Sequence, residues 1–152
     1  MSAPDRLLDA WAERYDFQKH EIIRGHISAR TGEQLLAQVA RTLDQRKAEH
    51  AATGLAAAWV YTQFAAFRLV TFFVAERPSK ALFDAMKFRE EPKGANVWLV
   101  VPNDAGVFDG AIISKEIRCV HPVQTFLDLQ GHPERSKEAA SEIRSRLLRW
   151  DT

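Results

Sequence analysis

The chain has a single cysteine, Cys119, among its 152 residues, and this scarcity excludes several classes of protein. One thiol can form no disulfide within the chain and no cysteine-based zinc site. The seven glycines are scattered, and none belongs to a GxGxxG or Walker-type phosphate loop. A GxSxG nucleophile elbow is missing as well. No arrangement of nucleophile, base or metal ligands in the sequence therefore indicates an enzyme or a cofactor.

An excess of charge of one sign is also missing, because 21 Lys and Arg residues are balanced by 20 Asp and Glu residues. Near-neutrality gives no general attraction to nucleic acid or to a membrane, so any such contact needs a local patch. The longest nearly apolar run, residues 53–67, is too short to span a bilayer. The charged N-terminus lacks the apolar centre of a signal peptide. We therefore expect a cytoplasmic protein without a membrane segment.

Helix and strand signals alternate along the chain, whose 46% hydrophobic content suits a packed domain. Residues 17–28 predict a strand or hairpin, and the β-prone runs 67–75 and 96–101 predict buried strands. Alternating apolar and polar side chains predict a further strand over residues 111–120. The fold class we predict for residues 1–152 is a single α/β (α+β) domain with a mixed central sheet flanked by helices. A restriction-endonuclease-like sheet is one form that this class takes.

Helix start signals are explicit at three points. A capping box at Thr31 is followed by an apolar stripe that predicts a helix reaching about His50. The dipeptides His121-Pro122 and His132-Pro133 each predict a new helix, so the chain is expected to end in two consecutive helices. We expect both of these histidines to cap their helices or to be exposed, rather than to act in catalysis.

A metal-dependent nuclease-like enzyme, or a degenerate relative of one, is the alternative interpretation. Such a site needs an acidic residue and then an acid-x-Lys pair on the following strand. The nearest match is Asp109 followed by Glu116, with Arg118 in the lysine position, where its permanent charge makes it a poor substitute. His20 and His26 would share one side of a strand, but no third ligand completes a metal site. We therefore assign no catalytic residue and no metal ligand.

The basic residues near the C-terminus form the candidate surface for binding nucleic acid or a partner. These residues are Arg135, Lys137, Arg144, Arg146 and Arg149. Acidic residues lie among them, and Glu142 stands four residues before Arg146, which favours an ion pair on the helix surface. Two interpretations of these residues are possible: a solvated helix face with internal ion pairs, or a weak binding surface for nucleic acid.

Five segments resemble the AbiEi-type antitoxins of type IV toxin–antitoxin systems. They are residues 53–58 (TGLAAA), 94–97 (GANV), 104–108 (DAGVF), 121–129 (HPVQTFLDL) and 135–140 (RSKEAA). Their order and spacing are similar to the region downstream of that family's winged helix, from Leu7 onward. The PVQTFLDL stretch is the most specific segment and TGLAAA is the least specific.

This resemblance implies a bacterial protein of abortive-infection defence, whose C-terminal domain counteracts a nucleotidyltransferase-like toxin. In this class the antitoxin opposes the toxin's effect without a stable complex between the two, and the family offers no catalytic residue to transfer. The winged helix that represses the operon is not found in these 152 residues. We therefore expect a non-enzymatic regulatory domain and do not expect operator binding from these residues alone.

A third interpretation is an oligomerisation module. It predicts an apolar surface patch with a tryptophan at its centre, because tryptophans commonly anchor protein interfaces. The candidates are Trp11, Trp59, Trp98 and Trp150.

Overall fold

The computed structural model describes residues 3–133 and 135–148. The helices of these residues are α1 (Ala3–Arg14), α2 (Gly32–Gln45), α3 (Gly54–Thr62), α4 (Lys80–Met86), α5 (Pro122–Leu129) and α6 (Ser136–Leu147), with short 3-10 helices at Phe17–Lys19 and Ala105–Phe108. The strands are β1 (Glu21–His26), β2 (His50–Thr53), β3 (Val70–Val74), β4 (Arg89–Glu90), β5 (Val97–Val101), β6 (Ile112–Ser114) and β7 (Ile117–Cys119). None of the described helices is long and apolar enough to cross a membrane.

The strands form one sheet in the order β4-β1-β5-β3-β2-β7-β6. The pairs β3–β5 and β2–β7 are parallel, and the other neighbouring strands are antiparallel. The mixed sheet and the two consecutive helices α5 and α6 confirm the predicted fold class.

The single strand predicted over residues 111–120 is wrong, because this segment is a hairpin made of β6 and β7. Lys115 and Glu116 both have left-handed backbones, with φ values of 51° and 66°, and Ser114 pairs directly with Ile117. Two consecutive residues with positive φ match the twist of a tight hairpin turn. Alternation of side chains alone cannot distinguish this turn from a continuing strand.

The helix predicted from Thr31 to about His50 ends earlier than expected. Its beginning is confirmed, since the Thr31 hydroxyl accepts a hydrogen bond from the backbone of Gln34 at 3.1 Å. The helix itself ends at Gln45, and His50 begins strand β2. Lys47 adopts a left-handed backbone with φ of 56°, a conformation that commonly ends helices.

The sheet has two differently covered faces, because side chains alternate between the faces along each strand. Helices α2 and α3 pack on the face that we call the helix face, which bears Ala52, Phe72, Leu99 and Cys119. The opposite face, which we call the polar face, bears Ala51, Thr53, Thr71, Phe73, Val100 and Val120. Its smaller apolar cluster is completed by Phe17, Val107 and Phe108 from the two 3-10 helices.

Candidate functional site

A carboxylate is completely buried at the polar face of the sheet. Asp128 lies in the last turn of α5, and its side chain is surrounded by three donors. The hydroxyl of Thr53, at the end of β2, donates to one carboxylate oxygen. Tyr15 donates to the other oxygen through its hydroxyl, and Gln124 donates to the same oxygen at 2.9 Å. One acidic side chain therefore joins the start of the chain, the sheet and α5.

The hydrogen-bond chain continues from Tyr15 to His20. The backbone N–H of Asn103 donates to Nδ1 of His20 at 3.1 Å, so the proton of the neutral ring is assigned to Nε2. This Nε2 lies 2.7 Å from the Tyr15 oxygen and donates to it, because the Tyr15 proton points to Asp128. The direction of every hydrogen bond from Asn103 to Asp128 is thus fixed by the donors available.

His132 is a second buried polar group on this face, and the expectation that it caps a helix or is exposed is wrong. Its Nδ1 donates to the backbone carbonyl of Asp128 at 2.8 Å, and the Thr71 hydroxyl donates to its Nε2 at 2.9 Å. A Cβ added at Gly54, where φ is +64°, would lie 2.4 Å from that Nε2. Only glycine therefore allows β2 to turn into α3 beside this ring. His121, by contrast, caps α5 as expected, by accepting from the backbone of Val123 at 3.1 Å.

Burial shifts the pKa values of these groups in the direction that favours their uncharged forms. It raises the pKa of Asp128 to about 7, against the hydrogen bonds from Thr53, Tyr15 and Gln124 that lower it. It lowers the pKa of His132 to about 4 and also lowers that of His20. The pKa of Tyr15 rises because of burial and the nearby Asp128.

The buried groups of the polar face are hydrogen-bonded to one another and are closed to solvent. Thr53, Thr71 and Asp128 have no exposed surface, and His132 is 7% exposed. Among the described residues, every buried side-chain nitrogen and oxygen has a hydrogen-bond partner. A substrate would need to reach these atoms and to replace a partner. The geometry therefore favours a structural role for these hydrogen bonds, which hold the segments of the fold together, over a catalytic role.

The acidic residues proposed for a nuclease site do not lie on successive strands. Asp109 follows the 3-10 helix Ala105–Phe108 and Glu116 lies in the hairpin turn, with both side chains exposed. The acid-x-Arg pattern at Glu116 and Arg118 is consequently split between a turn and β7. His20 precedes β1 and belongs to the hydrogen-bond chain, so it does not pair with His26 on that strand. Within residues 3–133 and 135–148, no three His, Cys, Asp or Glu side chains are placed to share a metal ion.

The basic residues of the candidate surface near α6 are mostly ion-paired within the chain. Arg135 pairs with Glu138 at 2.9 Å, and Arg146 pairs with Glu142 at 2.7 Å, as its spacing predicted. Lys137 is exposed on the same helix.

Two arginines of α6 also contact other helices: Arg146 donates to the carbonyl of Thr62, the last residue of α3, at 2.8 Å, and Arg144 contacts α1. The Arg144 contacts are to carboxylates. The Arg144 guanidinium contacts Asp9 at 2.6 Å and Asp5 at 3.3 Å, both on α1, and it lies over the Phe126 ring. Arg149 lies outside the described residues. Sequence spacing placed these basic side chains on one helix but gave no information on the α1 carboxylates, which are more than 130 positions away along the chain.

In a comparison with protein families, residues 1–149 match the family model described as "Transcriptional regulator, AbiEi antitoxin, Type IV TA system". No curated protein and no solved structure matches the chain. The likeness of the sheet to restriction endonucleases therefore stays a prediction.

Proposed function

Because the chain belongs to the AbiEi antitoxin family of type IV toxin–antitoxin systems, we propose that it is a non-enzymatic antitoxin acting in the bacterial cytoplasm. The observation that carries this proposal is the family match over residues 1–149. Membership in the family implies a toxin as the functional partner. We propose that this toxin is nucleotidyltransferase-like, that no stable complex forms with it, and that residues 1–152 act as one domain.

The chemistry of the described residues supports a role without catalysis. The shifted pKa values belong to groups that are buried and mutually hydrogen-bonded, with Asp128 at their centre. Shifted pKa values mark a catalytic site only where substrate can reach the groups that carry them. Asp109 and Glu116, which are accessible, lie in separate turns.

We propose that α6 and the residues next to it in the sequence contact a protein or nucleic-acid partner through Arg135, Lys137 and Arg146. Arg149, which lies outside the described residues, belongs to the same predicted set. The pair of Arg135 with Glu138 is solvent-exposed, and such a pair contributes only about 0–1 kcal/mol. An anionic partner can therefore displace Glu138 at little cost. Arg146 is held more firmly, because its partner Glu142 is half-buried and it also donates to the Thr62 carbonyl at 2.8 Å, but its side chain is still about half exposed. Arg144 is left out of this surface because α1 occupies its guanidinium.

Co-expression with a cognate nucleotidyltransferase-like toxin tests the proposal, with host growth as the measurement. We expect growth to be rescued by the wild-type chain and by Asp109→Ala and Glu116→Ala, since neither carboxylate is needed by a non-enzymatic antitoxin. Failure of a folded wild-type chain to rescue growth would contradict the antitoxin role. Loss of rescue in a folded Asp109→Ala or Glu116→Ala variant would instead support the nuclease alternative.

Two further measurements separate the finer parts of the proposal. Co-purification of the toxin with this chain at micromolar concentration would contradict the absence of a stable complex. The double charge reversal Arg135→Glu and Arg146→Glu should reduce rescue if α6 is the contact surface. Unchanged rescue by this folded variant would exclude that surface.

An oligomerisation role is favoured by one specific feature of α1. Leu7 and Trp11 lie one helical turn apart and are 52% and 46% exposed. Leu147 of α6, the helix tied to α1 through Arg144, is 42% exposed. Sedimentation of the wild type against Trp11→Ser tests this alternative, which predicts dimers that the substitution dissociates. Trp150 lies outside the described residues.

A further inference from the structure

A concave groove of about 440 Å³ lies where α2 begins, beside the end of β1 and the starts of β3 and β5. We call it the α2 groove. Its lining includes His26, Arg30, Leu35, Arg68, Leu69 and Gly94. A volume of this size is within the range of pockets that hold small molecules.

The α2 groove is basic although the chain as a whole is nearly neutral. Arg30 and Arg68 line it, and none of its lining residues is an Asp or a Glu. No ion pair of the described residues involves either arginine, whereas Arg135, Arg144 and Arg146 all have carboxylate partners. Two exposed arginines therefore line one cavity to which the described part of the chain contributes no acidic side chain.

The walls of the α2 groove are held in place before any ligand binds. The Asn96 side chain accepts from the backbone N–H of Ile27 at 3.0 Å and donates to the carbonyl of the same residue at 2.8 Å. The Gln34 side chain accepts from the backbone N–H of Arg30 at 2.9 Å, opposite the cap formed by Thr31. These bonds fix the segment that carries Arg30, so little ordering entropy is lost on binding.

We propose that the α2 groove binds a small phosphate-bearing molecule, such as a nucleotide or another phosphate ester. Guanidinium groups suit phosphate because they donate two parallel hydrogen bonds to it. Leu35 and Leu69 lie buried beneath the groove and make its floor apolar. A single concave site with two arginines favours a small ligand, since a polynucleotide is held by many phosphate contacts along an extended surface.

Calorimetric titration of the purified chain tests this assignment, with ATP, inorganic phosphate and adenosine as the probes. We expect ATP, or ATP and phosphate, to bind and adenosine to fail, because the phosphate supplies the charge that the arginines recognise. Equal affinity for ATP and phosphate would show that the phosphate group alone is recognised. Tighter binding of ATP would show that the nucleoside contacts the groove as well. Either result supports the proposal.

The variants Arg30→Gln and Arg68→Gln should each weaken binding about tenfold or more, as expected for loss of a charged hydrogen bond. Arg41→Gln is the matched control, because Arg41 is an exposed arginine of α2 that does not line this groove. Its affinity should stay within about twofold of wild type, a difference of about 0.4 kcal/mol. Circular dichroism checks that each variant is folded.

Three results would overturn the proposal: no binding of ATP or phosphate at millimolar concentration, equal binding of adenosine and ATP, or affinities unchanged by both substitutions. Binding confined to a single-stranded oligonucleotide, tightening with its length, would assign the surface to nucleic acid instead. The titration contains no toxin, so an absence of ligand binding would not change the conclusion drawn from the rescue experiment. Failure of rescue likewise leaves the groove's ligand to be decided by titration alone.

Discussion

The helix face and the polar face of the sheet are covered by different means. On the helix face, Phe72 and Leu99 pack among the apolar side chains of α2 and α3. On the polar face, Phe73 and Trp98 pack beside the histidines His20 and His132. The first face needs only hydrophobic side chains of suitable size, whereas the second needs each buried donor to meet its own acceptor.

The two faces should therefore tolerate substitutions to different degrees. A well-packed apolar core accepts substitutions that preserve volume, because dispersion and the hydrophobic effect are not directional. A buried hydrogen-bond network has fixed directions, and removing one member leaves the others unpaired. We therefore expect the helix face to set most of the stability, and the polar face to set how the N-terminal segment and α5 are placed.

The largest expected effect is the loss of Phe72. Phe72→Ala should lower the free energy of unfolding by about 3–5 kcal/mol, the usual cost of a large cavity in an apolar core. Phe73→Ala, one position along β3, should cost less, because the 3-10 segments around Phe73 can collapse more readily than packed helices. Urea denaturation of both variants gives the comparison. A larger loss for Phe73→Ala would reverse the contrast between the faces.

Removal of the central acceptor has the next largest effect. Asp128→Ala should lower the free energy of unfolding by about 2–3 kcal/mol, since Thr53 is left as a fully buried donor without an acceptor. Tyr15 and Gln124 are only partly buried and can turn to water. Asp84→Ala, at an exposed acid of α4, is the control and should change stability by less than about 0.5 kcal/mol. Equal effects for the two variants would mean that the network contributes no stability.

The helix face was largely predictable from sequence, and the polar face was not. Residues 67–75 and 96–101 read as buried strands because apolar residues fill both of their faces. The stripe behind Thr31 likewise identified the helix that packs on them. Such patterns are local, and burial of an apolar stripe follows from the hydrophobic effect alone.

The network of Asp128 depends on residues that are far apart in the sequence. Tyr15 and Asp128 are separated by 113 positions, and Thr71 and His132 by 61. Spacing along the sequence predicts which residues share one side of a helix or strand. It does not predict which residues from distant segments are brought into contact by the topology of the fold. The same limit applies to Arg30 and Arg68, which line one groove from two distant segments. A polar residue inside an apolar run, such as Asp128 within PVQTFLDL, was the one local signal available.

The pH dependence of stability separates the two buried titrating groups. Asp128 has a raised pKa of about 7, so its contribution is fully present below about 4 and is lost as pH rises through 7. His132 has a lowered pKa of about 4, so its contribution is present above about 6.5 and is lost as pH falls through 4. The two dependences have opposite signs in the same pH range and partly offset in the wild type.

Two variants should separate these contributions, with urea denaturation at several pH values as the measurement. In Asp128→Asn only the pH dependence due to His132 remains, and in His132→Gln only the pH dependence due to Asp128 remains. The stability of Asp128→Asn relative to His132→Gln should therefore rise between pH 4 and 7, by at least about 1 kcal/mol. His20, whose pKa is also lowered by burial, is common to both variants and cancels. A difference that is flat with pH would show that neither group changes its pKa on folding.

The smallest expected effect concerns Arg144, which ties α6 to α1 through Asp5 and Asp9. Arg144→Gln removes the contacts to Asp5 and Asp9, and its partly exposed position limits the loss to about 0.5–1 kcal/mol. Helix α1 is followed directly by Tyr15, which contacts Asp128, so the loss of stability should be local to this segment. Compared with the wild type, amide hydrogen exchange should become faster in α1 and should change little in α2. Lys137→Gln, on the same helix, is the control and should leave exchange in α1 unchanged. Uniformly faster exchange in both helices would instead mean that Arg144 stabilises the whole fold, and that α1 does not open separately from the sheet.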